Sequence, residues 1–117
     1  MAKKLAVLET SSAECCPAIT SVDPMSDQQA RDLADRLKAV AEPTRLRLLQ
    51  FIMSANNQEA CTCDLAPAVG LSEPTVSHHL KKLEFAGLVT KERRGMSVYY
   101  SVIPSALDAL AQTFHIR

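Results

Sequence analysis

The chain has 117 residues, 47% hydrophobic and 22% charged, with 13 basic against 13 acidic side chains, four Cys and no Trp. This is the composition of one globular domain that needs no staples to bury a core, and scarce aromatics leave Leu, Val, Ile and Ala to build it, which favours helices. No run approaches the ~18 apolar residues that span a bilayer, and the apolar part of "KKLAVLE" stops at Glu9, too early for a signal peptide.

A cytoplasmic protein with reduced thiols and no membrane partner is therefore expected. Net neutrality conceals a local excess. Residues 75–94 hold five basic and two acidic side chains, whereas the segments before them are acidic or nearly balanced. A patch of that kind can bind phosphate on a neutral molecule.

Residues 1–25 show no hydrophobic period and end in "SVDPMS", so they read as a flexible arm carrying Cys15 and Cys16. Residues 26–117 read as the folded domain. Ser26 with Gln29 makes a capping box, followed by Ala30, Leu33, Leu37, Val40 and Ala41 at helical spacing. A second helix restarts at Pro43, with Leu46, Leu49, Ile52 and Met53 as its expected core stripe, widened by Leu48 and Phe51.

After the polar break "SANNQEA", a short helix is expected over about 64–69, stopped by Gly70. Ser72 then caps a longer helix with Pro74 in its first turn, Val76, Leu80 and Leu83 facing inward, and Gly87 ending it. The segments "LVTKER" and "MSVYYSV" around Arg94-Gly95 read as a β-hairpin, and a last helix begins near Pro104 or Ser105. The fold class is mainly α with a small hairpin wing (α+β), a winged helix-turn-helix whose second helix enters the major groove.

On that second helix Ser72, Thr75, Ser77, His78, His79, Lys81 and Lys82 lie off the apolar stripe, and Arg93 and Arg94 sit at the hairpin tip. Hydroxyls near a helix N-terminus reach base edges or phosphates, Lys supplies phosphate contacts, and tip arginines reach an adjacent phosphate or the minor groove. A solvated basic face is the plainer reading of such charges, but the helix-turn-helix spacing favours DNA. The neighbours His78 and His79 diverge by about 100° on a helix and cannot grip one metal ion together.

The four thiols form two pairs, Cys15-Cys16 and Cys61-Cys63. Thiolates select soft ions such as Zn, Cu(I) and other thiophilic centres. Pro67 is unwelcome beyond a first turn, so the short helix is expected to start near Cys63 or Asp64, leaving Cys61 in extended chain where residues two apart face one way. Free Cys also fills core space, but two tight clusters with no thiol elsewhere favour a shared role.

"KAVAEPTRLRLLQFI", "CTCDLA", "GLSEPTVSHHLKKLEFAGLV" and "RRGMSVYYSV" together resemble the ArsR/SmtB family of winged-helix repressors over about residues 33–103. The resemblance implies a homodimer that sits on operator DNA and leaves when a metal or metalloid binds. It also implies that the first and last helices form the dimer interface, through Leu33/Leu37 and Leu107/Leu110/Phe114. The zinc-sensing members' last-helix pattern is not matched, since only Asp108 and His115 are present and Pro104 stands where an acidic ligand is expected.

The CxC segment instead resembles the thiol site of arsenite/antimonite sensors and of cadmium/lead sensors. As(III)/Sb(III) bound by Cys15, Cys16, Cys61 and Cys63 is the favoured inducer, with Cd(II)/Pb(II) as the alternative on the same ligands. Glu73 replaces the Gln that often opens the family's recognition helix, and a carboxylate there is a poor neighbour for phosphate. A thiol redox switch on this scaffold is a further alternative. An enzyme is not expected: there is no CxxC on a βαβ unit and no base placed by motif beside a Cys.

Overall fold

The computed structural model describes residues 24–116; Cys15, Cys16 and nearly all of the expected arm lie outside them. The chain divides into two compact units after Ala30. In the described part of the first, the capping box forms: Gln29 N–H donates to Ser26 Oγ at 3.1 Å and Ser26 N–H to Gln29 Oε1 at 2.8 Å.

The elements in chain order are α1 (Asp27–Val40), α2 (Pro43–Ser54), a 3-10 turn (Asn56–Gln58), β1 (Glu59–Cys61), α3 (Thr62–Val69), α4 (Glu73–Phe85), β2 (Val89–Arg94), β3 (Ser97–Val102) and α5 (Pro104–Thr113). The core of the second unit joins Leu48, Leu49 and Ile52 of α2, Leu65 and Val69 of α3, Val76, Leu80 and Leu83 of α4, and Tyr100 and Val102 of β3.

On α2 the buried face is Leu48–Leu49–Ile52, while Leu46, Phe51 and Met53 remain 53%, 42% and 42% exposed. The expected stripe is thus shifted. At about 100° per residue those three side chains flank the buried face on both sides. On α5 no residue is fully buried; Leu107 and Leu110 lie partly against the core and Phe114 is largely exposed.

The sheet has three antiparallel strands in the order β1-β3-β2, one more than the sequence suggests. β1 pairs Glu59 with Ser101, Ala60 with Tyr100 and Cys61 with Tyr99. β2 pairs Val89 with Val102 through to Arg94 with Ser97, which leaves Gly95-Met96 as a two-residue tip, one residue beyond the expected break. Gly95 takes φ +63°, as such a turn requires.

Candidate thiol site and nucleic-acid interface

Cys61 ends β1 in extended backbone and serves as the N-cap of α3, its Sγ accepting the Cys63 N–H at 3.0 Å. Cys63 is the second helical residue. The helix therefore starts slightly earlier than expected, at Thr62, and Pro67 falls in its second turn. The eight-residue helix tolerates this because proline costs it a single hydrogen bond, to the Cys63 carbonyl. Gly70 closes it in the left-handed conformation (φ +72°), with Leu71 N–H donating to Ala66 O at 3.1 Å.

The change from strand to helix between the cysteines turns both side chains to one place: their Cα atoms are 5.2 Å apart and their sulfurs touch. Asp64 joins them. One ligand atom from each of Cys61, Cys63 and Asp64 lies within 4.8 Å of the other two. Two soft sulfurs and one hard oxygen suit a thiophilic ion.

Cys61 is 1% exposed, whereas Cys63 and Asp64 face outward. A hollow of about 480 Å³ beside Asp64 is lined by Phe51, Asn56, Glu59 and Tyr99 among others. Asp64 was not among the ligands expected from the sequence, since any first-turn Asp has the simpler role of favouring a helix start.

Beyond the Gly70 turn, α4 carries the residues expected to read DNA. Ser72 caps it, its Oγ accepting the Thr75 N–H at 3.4 Å and lying 2.9 Å from Thr75 Oγ1. Val76, Leu80 and Leu83 are fully buried, as expected, which turns Thr75, His78, Lys81 and Lys82 outward. Ser77 and His79 are half-buried. The His79 Nδ1 is enclosed without a hydrogen-bond partner. The His78 and His79 rings stand 6.0 Å apart, edge to face, as divergent neighbours should.

Glu42 caps α2, and the Arg45 backbone N–H, donated at 2.9 Å, holds its carboxyl below the ordinary 4.5; partial burial opposes this and nearby His79 assists it.

On the wing Arg93 is exposed and Arg94 is engaged. Arg94 donates to both Glu59 carboxylate oxygens at 2.6 and 2.9 Å and to Glu92 at 2.8 and 3.1 Å, with its guanidinium 4.6 Å over the Tyr99 ring. The Arg94 hydrogen bonds hold the Glu59 carboxyl below its usual range and push the Arg94 guanidinium still higher. Glu73, the first residue of α4, accepts a hydrogen bond from Thr62 Oγ1 at 3.3 Å.

A short helix, a glycine turn, a second helix with an exposed basic flank and a hairpin behind it define a winged helix-turn-helix protein. Residues 42–91 match the family model described as "Bacterial regulatory protein, arsR family". An arsenical resistance operon repressor of Staphylococcus xylosus is 34% identical over 74% of this chain and 80% of its own length. The chain belongs to the arsR family, whose members are DNA-binding transcriptional regulators and not enzymes.

The transcriptional repressor SmtB homolog of Synechocystis is 45% identical over 67% of this chain; the match spans 57% of that relative. A cadmium resistance regulatory protein CadC homolog of Staphylococcus aureus is 33% identical over 67% of this chain and 63% of its own. Among solved structures, the antimony-specific transcriptional repressor AntR superposes with TM-score 0.66 at 30% identity, covering 83% of this chain and 86% of that one. The homodimeric winged helix-turn-helix domain of Mb0332 from Mycobacterium bovis gives 0.63 at 27%, covering 79% and 86%. No helix among the described residues is long and apolar enough to cross a membrane.

Proposed function

We propose that this protein is a metalloid-responsive repressor: a homodimer that binds operator DNA and is released when As(III)/Sb(III) is held by cysteine thiolates. The observation that carries the reading is the meeting of the Cys61 and Cys63 sulfurs at the head of α3, the first helix of the DNA-reading motif. Arsenical relatives and an antimony-specific structural neighbour support the choice of inducer.

Cys15 and Cys16 supply the remaining sulfur. Thr75, Ser77, His78, His79, Lys81 and Lys82, with Ser72 at the helix start and Arg93 on the wing, make the DNA contacts; Arg94 braces the wing. The half-buried Leu33 and Leu37, the partly covered Leu107 and Leu110 and the exposed Phe114 suit a dimer interface, as apolar side chains left uncovered in one chain do.

The Asp64 oxygen beside the two sulfurs favours Cd(II)/Pb(II) as the second reading, because a four-coordinate cation accepts a mixed set more readily than As(III) does. A thiol redox switch is a third reading.

The test is a gel-shift titration of promoter DNA with arsenite, Cd(II) and peroxide in separate arms, on wild type, Cys61→Ser/Cys63→Ser and Cys15→Ser/Cys16→Ser. Release of wild type by arsenite, lost in both variants, is the expected result. Release by Cd(II) or peroxide alone overturns the metalloid assignment, and equal release of the Cys15→Ser/Cys16→Ser protein removes the arm from the site.

A further inference from the structure

The junction Glu59–Cys63 carries both described thiols, and two of its other side chains leave it for different parts of the DNA-reading surface. Glu59, two residues before Cys61, grips Arg94 of the wing through two parallel N–H···O bonds of 2.6 and 2.9 Å. Arg94 lies over Tyr99, which is the strand partner of Cys61. Thr62, between the cysteines and 8% exposed, donates to Glu73, where α4 begins. Besides the short β1–β3 ladder, the wing and the recognition helix are therefore each tied by a side-chain contact to the same five residues.

We propose that Glu59 and Thr62 are positioning residues that carry the state of the thiol site to the wing and the recognition helix, respectively. The proposal rests on the metalloid-release reading and deepens it. β1 is only three residues long, so few ladder bonds resist its displacement when the sulfurs are drawn to a further ligand. A bidentate pair loses one of its two bonds once the carboxylate tilts from the guanidinium plane. The Thr62 bond, at 3.3 Å, is already near the outer limit and breaks with little movement.

Exposed ion pairs add little to stability, and both the Arg94 and Glu73 side chains reach solvent. The signature of these contacts is thus expected in the coupling between inducer and DNA. Glu73 also gains a role here that base reading does not give it.

The experiment measures the dissociation constant for promoter DNA by fluorescence anisotropy, with and without arsenite, for wild type and Glu59→Gln/Thr62→Val. As(III) bound per dimer is counted by mass spectrometry of the DNA-free proteins. Wild type is expected to weaken by about 5- to 150-fold on adding arsenite, the usual range of allosteric coupling, and the double variant by less than about half the wild-type factor at unchanged As(III) stoichiometry. Thr62→Ser, which keeps the hydroxyl, is expected to retain the wild-type ratio.

If the double variant loses its helical circular dichroism, each single variant takes its place and is expected to lie between. A variant ratio within about twofold of wild type, with arsenite bound, overturns the inference alone. A wild-type protein that neither binds arsenite nor leaves DNA overturns the proposed function as well, so the two failures are told apart.

Discussion

Cys61 has two separable jobs, and a substitution series at this position distinguishes them. Its sulfur caps α3 by accepting the Cys63 N–H, and it is one of the paired thiols. Serine is a preferred N-cap, so Cys61→Ser keeps an acceptor where the backbone needs one, whereas Cys61→Ala removes it at a cost of about 0.5–2 kcal/mol. Both variants lose the sulfur's contribution to a side chain that is only 1% exposed, so the Ser–Ala difference isolates the cap.

For a domain of this size each kcal/mol moves the melting midpoint by about 4–8 °C, so at the typical cap cost of about 1 kcal/mol Cys61→Ala is expected to melt about 4–8 °C below Cys61→Ser. The assay is thermal unfolding by circular dichroism, with a reductant present and protein concentration held fixed, since a dimer's midpoint depends on concentration. Gel shift supplies the second readout: both variants bind promoter DNA, and neither is released by arsenite. A Ser variant that melts at or below the Ala variant refutes the cap. A Ser variant fully released by arsenite refutes Cys61 as a ligand.

Leu80 is fully buried on the inner face of α4, and Leu80→Ala should cost about 2.7–5 kcal/mol, seen as a lower urea midpoint with an unchanged slope. Gly70→Ala meets no neighbour at its new Cβ but must adopt φ +72°, so it should destabilise by about 1–2 kcal/mol from backbone conformation alone; a neutral result in the same titration would refute the left-handed turn.

The Glu42 and Glu59 carboxyls both lie below 4.5 in the folded protein, so their contribution is present above that value and is lost as pH falls through their lowered folded values. Melting midpoints should therefore hold above about pH 5 and decline in acid, with a shallower decline in Glu59→Gln.

The sequence by itself determined what short-range chemistry controls. Ser26 with Gln29, Pro43, Ser72, Pro74, Gly70 and Gly87 mark helix ends through hydrogen bonds and backbone angles that involve near neighbours alone, and each acts as those residues imply. The Val76–Leu80–Leu83 face followed from helical period; Pro67 left joint use of Cys61 and Cys63 open, and the strand-to-helix change at Thr62 brings the two together.

Tertiary structure decided the rest. β1 is too short to show an alternating pattern, and its register is defined by pairing with β3. The buried face of α2 was chosen by the helices packed against it, from an apolar surface wide enough to offer several. Arg94 reads in sequence as a free cation at a hairpin tip. It meets Glu59, 35 positions away, because β3 lies between their strands, and pairing at that separation leaves no local trace in the sequence.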